Sequence, residues 1–99
     1  MNLAIFPTDK GTSVSEYVGE VIKMIRDSGA KYKLSAMSTV VETETMQEAL
    51  EIIQKAYDIL QDSDRIYSAV TFDIQNNKPF GRIDGKIKSV EAKIGNVNK

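Results

Sequence analysis

The chain has 99 residues, a formal net charge of -1, and neither cysteine nor histidine. This length suffices for one hydrophobic core, so we expect a single domain over residues 1–99. The small net charge offers no long-range attraction to nucleic acid or to an anionic membrane. No apolar run is long enough to span a bilayer, and the lack of cysteine is typical of a reducing compartment, so we expect a cytoplasmic protein.

The absence of histidine bears on the function class. Histidine is the commonest general base near neutral pH and the commonest metal ligand. Its absence favours binding over catalysis, and we expect no metal site because no acidic spacing resembles a calcium loop. The sequence also has no glycine-rich phosphate motif and no basic, aromatic strand pattern of an RNA-recognition module.

A strand and a helix are predicted at the beginning of the chain. Residues 2–7 favour a strand, which ends at Pro7 because proline cannot donate to a ladder. Ser13 and Glu16 have capping-box spacing, and Ser28-Gly29 is a typical helix end. Between them, apolar residues recur at intervals of three and four: Val14, Tyr17, Val18, Val21, Ile22 and Ile25.

Two short strands and a second helix follow. The strands are predicted over residues 32–36 and 38–43. Thr45 and Glu48 repeat the capping box. The apolar stripe behind them consists of Met46, Ala49, Leu50, Ile53, Ala56, Tyr57 and Leu60.

A fourth strand and a third helix complete the chain. In the strand, residues 65–74, Ile66, Ser68, Val70, Phe72 and Ile74 point one way, and Tyr67, Ala69, Thr71 and Asp73 the other. A turn-rich loop at 75–81 precedes a helix with a narrow apolar seam: Ile83, Ile87, Val90 and Ile94.

This order predicts an α+β fold, a ferredoxin-like βαββαβ sandwich with an antiparallel sheet and an additional C-terminal helix. The two main helices cover one face of such a sheet. The other face is mixed in character, and such a face usually meets another chain or a ligand. We therefore expect a homo-oligomer, a dimer or a tetramer. The alternative is that the third helix folds back and covers this face in a monomer.

Two strand carboxylates, Glu42 and Asp73, are the candidate binding groups. Single strand carboxylates are most often exposed rim groups. A carboxylate enclosed beside hydroxyls and an aromatic ring, however, suits a nitrogen heterocycle, because it accepts a ring or exocyclic N–H. The stretch YKLSAMSTVVET at residues 32–43 has the composition of such a pocket.

Several stretches resemble the small thiamine-binding proteins of the YkoF-like group. They are Pro7, SVSEYV at 13–18, Ser28-Gly29, Tyr32-x-Leu34, MSTVVE at 37–42 and KIKSV at 86–90. The resemblance implies a ferredoxin-like fold, sheet-mediated dimers and tetramers, and non-catalytic binding of thiamine or its hydroxymethylpyrimidine part. The ligand-binding residues that it implies are Phe6, Ser13, Ser15, Tyr32, Met37, Thr39, Glu42 and Asp73.

Within that set, the resemblance implies that Glu42 binds the aminopyrimidine or the cationic ring. It further implies that Thr39 and Ser15 are hydrogen-bonding neighbours of the ligand and that Phe6 and Met37 are apolar walls. The sequence departs from the family pattern at three positions. The family usually has glycine where Ser38 stands and often glycine at Thr43, and its Asp-x-Arg is here Asp73-Ile74-Gln75.

Two other functions stay open. The first is an assembly or regulatory module of the same fold that binds no small molecule. The second is a small enzyme that uses Glu42 or Asp73 as a base, which the lack of histidine and of a paired nucleophile disfavours.

Overall fold

The computed structural model describes residues 1–11, 14–76 and 82–97, and its helices and strands follow the predicted order. They are β1 (Asn2–Pro7), α1 (Val14–Asp27), β2 (Lys31–Leu34), β3 (Thr39–Glu42), α2 (Met46–Leu60), β4 (Ile66–Thr71) and α3 (Arg82–Ile94). The strands β2, β3 and β4 are shorter than predicted. The predicted cap at Ser13 and part of the predicted loop at 75–81 lie outside the described residues.

The four strands form one antiparallel sheet in the order β2-β3-β1-β4, with the central strands β3 and β1. This arrangement confirms the ferredoxin-like prediction. The strand β1 pairs with β4 along its whole length, from Asn2 to Pro7. It pairs with β3 only through Asn2 and Leu3. The side of β1 that faces β3 is therefore unpaired beyond Leu3.

The core lies between the sheet and the two helices α1 and α2. Its buried residues are Leu3, Ile5, Val21, Ile25, Val41, Ile52, Ala56 and Leu60. The predicted stripe of α2 was partly wrong, because Ile52 is buried while Leu50 is 52% exposed. Positions 49, 52, 56 and 60 share one side of the helix at 3.6 residues per turn, and Leu50 falls outside that arc.

The ends of the helices follow the predicted capping chemistry where they are described. The Glu48 amide donates to the Thr45 hydroxyl at 3.1 Å, and this hydroxyl donates to the Glu48 carboxylate at 3.3 Å. At the end of α1, Gly29 has a φ of 83°, a conformation that glycine adopts without steric cost. The chain can therefore turn directly from α1 into β2.

The helix α3 lies on the open face of the sheet, against β3. Its first half is partly covered, because Ile83 and Ile87 are half-buried. Its second half is not, since Ile94 is 72% exposed. Elsewhere on this face, the Phe6 and Tyr67 rings lie 5.3 Å apart. The helix α3 therefore folds back onto β3, as one predicted alternative has it, but it leaves apolar surface uncovered.

No helix in the described part of the chain is both long and apolar enough to cross a bilayer.

Replacing Thr45 by alanine removes the side chain that caps α2, so we expect the free energy of unfolding to fall by about 1 kcal/mol. Urea denaturation followed by circular dichroism measures this change. The Thr45→Ser variant retains the hydroxyl and serves as the control, with most of the stability retained. Equal losses in the two variants would contradict the capping role.

Candidate functional site

Two cavities lie at opposite ends of β3. The edge cavity lies beside Thr39, at the beginning of the strand, and has a volume of about 240 Å³. The Glu42 cavity lies at the end of the strand and has a volume of about 610 Å³. Thr39 and Glu42 are three residues apart, which is about 10 Å along a strand, and they point to opposite faces of the sheet.

The edge cavity lies between α1, the strand β1 and the hairpin loop, which we define as residues 35–38 between β2 and β3. Its walls are mainly apolar and include Val18 and Ile22 of α1 and Met37 of the hairpin loop. Four consecutive residues of β1, 3–6, also line it. Because successive side chains of a strand point to opposite faces, a cavity lined by all four lies along the edge of the strand.

The hairpin loop forms this gap by turning away from β1. The Ser35 amide donates to the Ser38 carbonyl at 2.8 Å, and the Ser35 hydroxyl donates to the same carbonyl at 2.9 Å. The Ser38 amide returns a bond to the Ser35 hydroxyl at 3.2 Å. These bonds satisfy the loop internally, so the loop does not extend the ladder with β1 past Leu3.

Besides Ser35, two residues with hydroxyl groups line the edge cavity, Ser38 and Thr39. Thr39 is only 5% exposed, and Ser38 is half-buried. Neither hydroxyl forms a hydrogen bond with another group in the described part of the chain. Both hydroxyls can therefore donate to, or accept from, a polar ligand in this cavity.

The Glu42 cavity differs in its chemistry. Glu42, Glu44 and Asp73 line it together with Lys86 of α3 and the exposed ring of Phe72. The Gln75 amide donates to the Asp73 carboxylate at 3.0 Å, so the glutamine lies beside the aspartate. This wider and more acidic space can accept a cationic group.

Glu42 also holds α3 in place. Its carboxylate accepts a hydrogen bond at 2.8 Å from the amide of Ile83, in the first turn of the helix. A carboxylate at this position satisfies an unpaired amide and interacts favourably with the helix dipole. Beside it, the Lys31 ammonium donates to the Asp84 carboxylate. Two charged contacts therefore fix the beginning of α3 to β2 and β3.

The lysine and aspartate affect each other's titration. The hydrogen bond from Lys31 and the positive charges of Lys31, Lys33 and Lys88 hold the pKa of the Asp84 carboxyl below its usual value. The hydrogen bond to Asp84, with the nearby carboxylates of Asp84 and Glu42, raises the pKa of the Lys31 ammonium. Both groups are thus charged over a wide pH range.

The structure distributes the predicted site residues over several places. Phe6, Met37 and Thr39 line the edge cavity, whereas Glu42 and Asp73 line the other one. Ser15 is exposed on the first turn of α1, and Tyr32 packs against the core from β2. Neither residue lines the edge cavity or the Glu42 cavity. Ser13 lies outside the described residues.

Sequence reasoning missed two contributors to the edge cavity. One is the main chain of β1 near Ile5, since the length of a strand pairing cannot be read from strand propensities. The other is Ser38, which was noted only as a departure from glycine. One signal was present in the sequence. Thr39 and Glu42 are an odd number of residues apart, and two side chains at odd spacing in a strand point to opposite faces of the sheet.

The chain is similar to several known proteins over most of its length. Residues 1–91 match the family model described as "Thiamine-binding protein". A UPF0045 protein of Methanothermobacter thermautotrophicus is 33% identical over 85 residues, which cover 84% of this chain and 85% of that protein. A solved structure from Methanocaldococcus jannaschii is 32% identical, with a TM-score of 0.78 over 90% of this chain and 91% of that one.

A more distant solved structure shares the fold. It is from Thermotoga maritima and is described as a candidate thiamine biosynthesis or salvage protein. Its sequence identity is 18%, with a TM-score of 0.75 over 90% of this chain and 94% of that one.

Replacing Glu42 by alanine removes the acceptor for the Ile83 amide. We expect amides in the first turn of α3 to exchange with solvent about five times faster, because a lost helix cap costs about 1 kcal/mol. Residue-resolved hydrogen exchange measures this change. The Glu44→Ala variant is the control, since Glu44 is an exposed carboxylate that lines the same cavity. Unchanged exchange in Glu42→Ala would refute the anchoring role.

The attachment of α3 is also expected to depend on pH. Because the pKa of Asp84 is lowered in the folded protein, its ion pair with Lys31 stabilises the docked helix at neutral pH. That contribution is lost as the pH falls through the lowered pKa. Chemical shifts of α3 during acid titration report the change. The Asp84→Asn variant should show a smaller response, and an identical response would contradict the prediction.

Proposed function

The chain belongs to the thiamine-binding protein family, and on this basis we propose that it binds thiamine or its hydroxymethylpyrimidine part without catalysing a reaction. The observation that carries the proposal is the edge cavity. It combines apolar walls with two hydroxyl groups that have no protein partner in the described residues. The described thiamine association of the Thermotoga maritima neighbour agrees with it.

The size of the edge cavity favours one ring rather than a whole ligand. Its volume of 240 Å³ lies below the range of about 300–1,000 Å³ that is typical for drug-sized ligands. Thiamine consists of an aminopyrimidine and a cationic thiazolium ring joined by a methylene group. We propose that the uncharged pyrimidine enters this apolar cavity and that the cationic ring stays nearer to solvent, because burying a charge without a partner is costly.

The Glu42 cavity is the alternative location. Its carboxylates favour a cation, and the role of Glu42 and Asp73 as direct ligand groups belongs to this alternative. The Glu42→Gln variant tests it, because glutamine keeps an oxygen that can accept from the Ile83 amide while it removes the charge. Loss of thiamine affinity in this variant would favour the Glu42 cavity.

A binding role agrees with the side chains that are present. The chain has no histidine and no cysteine, and the hydroxyls of Thr43 and Thr45 beside the Glu42 cavity donate to the Thr45 carbonyl and to Glu48 rather than to a carboxylate of the cavity. Likewise, no group of three acidic side chains in the described ranges converges to hold a metal ion. We propose that the protein acts in the cytoplasm by holding its ligand.

We also propose that the protein is a homo-oligomer, a dimer or tetramer. Large apolar side chains stay uncovered on the open face of the sheet, directly after β4 and on the second half of α3: Val40, Tyr67, Phe72, Ile74, Val90 and Ile94. A second copy that buried them would gain hydrophobic free energy in proportion to the covered area. An assembly module that binds no ligand would use the same surface, so oligomerisation alone does not separate the two functions.

Calorimetric titration with thiamine, hydroxymethylpyrimidine and the isolated thiazole tests the proposed function. We expect saturable binding of thiamine and of the pyrimidine, and weaker or no binding of the thiazole, because the pyrimidine occupies the enclosed cavity. A folded protein that shows no heat with any of the three would contradict thiamine binding and would favour the assembly module. Conversion of a ligand to product would contradict the non-catalytic role.

A further inference from the structure

We propose that the unpaired edge of β1 recognises the 4-aminopyrimidine ring through the main chain of Ile5, whose N–H donates to the ring nitrogen and whose carbonyl accepts from the amino group. The hydroxyl of Thr39 completes the polar contacts of the ring. This inference rests on the proposed function and assigns it a recognition mode. The recognising groups are then backbone atoms, rather than the carboxylate of Glu42.

The direction of the backbone groups follows from the sheet register. Met1 and Val41 exchange two hydrogen bonds across β1 and β3, at 2.9 and 2.8 Å. In an antiparallel ladder, alternate residues direct both N–H and C=O to the same neighbour, so Leu3 and Ile5 face the β3 side as Met1 does. On the other side of β1, the amide of Thr8 donates to the carbonyl of Arg65 at 2.9 Å. The N–H and C=O groups of the even-numbered residues of β1 therefore point toward β4.

Ile5 is the first such residue without a partner strand. Leu3 still lies opposite Thr39, but β3 begins there and the hairpin loop turns away. Within the described part of the chain, no residue lies opposite Ile5 in the ladder on this side. Both the N–H and the C=O of Ile5 therefore face the edge cavity, where Ile5 is one of the lining residues. Buried main-chain groups are nearly always paired, so this donor and acceptor favour a ligand that pairs with both.

A 4-aminopyrimidine has the complementary arrangement on one edge. Its amino group donates, and the adjacent ring nitrogen accepts. One ring can thus form the two hydrogen bonds that a missing strand would have formed with Ile5. The apolar side chains of Val18 and Ile22 lie along the same cavity and can pack on its faces. A thiazolium ring offers no such donor and acceptor pair, so the site discriminates against the thiazole half.

Met37 marks the entrance to the cavity. It belongs to the hairpin loop, lines the cavity and is 89% exposed. The remainder of a larger ligand would leave the cavity beside this flexible side chain. Recognition would then depend on the pyrimidine, and the rest of the ligand would add little specificity.

Residue-resolved hydrogen exchange with and without hydroxymethylpyrimidine tests the inference. In the free protein, we expect the Ile5 amide to exchange faster than the Ala4 amide, which faces β4. At saturating ligand, the rate for Ile5 relative to that for Ala4 should fall at least about tenfold. The ratio is the readout, because ligand binding slows all amides that exchange through global unfolding.

Two matched comparisons complete the test. The pyrimidine that lacks the 4-amino group should bind at least about tenfold more weakly than hydroxymethylpyrimidine, since the carbonyl of Ile5 loses its donor. The isosteric Thr39→Val variant should bind about fivefold more weakly, whereas Thr39→Ser retains affinity.

The outcomes separate the two claims. If hydroxymethylpyrimidine binds but the ratio of Ile5 to Ala4 exchange is unchanged, or if the deaminated ring binds equally well, the recognition mode is overturned and the proposed function stands. If no pyrimidine or thiamine binds to the folded wild-type protein, both are overturned.

Discussion

The short pairing between β1 and β3 leaves the edge cavity open, and this cavity is the site that we propose for the ligand. A sheet normally satisfies both sides of a central strand, yet β1 has a partner on its β3 side only through Leu3. Ser35 closes the hairpin loop by local hydrogen bonds, so the loop does not continue the ladder. The result is a gap one ring wide, with an unpaired main-chain edge on one side and the apolar face of α1 on the other. The core beneath it, packed around Ile25 and Leu60, holds these elements in place.

At the other end of β3, side chains hold the helix α3 in place. Glu42 anchors the first turn of α3, and Lys31 with Asp84 adds an ion pair beside it. Exposed ion pairs contribute little stability by themselves, so the carboxylate that caps the helix is the more important contact. The same anchor leaves the end of α3 and much of the open sheet face uncovered, which is where a second copy would bind. Ligand binding and assembly can therefore use opposite ends of one strand.

Much of the fold could be predicted because local signals agree with one another. Thr45 caps α2, and β4 pairs with β1 over six residues, from Ile66 to Thr71. The site was harder to predict, since it depends on where a pairing stops. Strand propensities do not indicate that β1 loses its neighbour after Leu3. The prediction that Thr39 and Glu42 line one site also ignored the alternation of side chains along a strand. Helix periodicity also placed Leu50 in the apolar stripe of α2, but its side chain is 52% exposed. Leu50 lies at the edge of that stripe, and periodicity alone does not show which side of the helix packs on the sheet.

A crystal structure of the protein with hydroxymethylpyrimidine tests the central claim most directly. The account predicts that the ring lies in the edge cavity, with its amino group and ring nitrogen within about 3 Å of the carbonyl oxygen and amide nitrogen of Ile5. A ring bound instead against Glu42 and Asp73, with the edge of β1 empty, would contradict it.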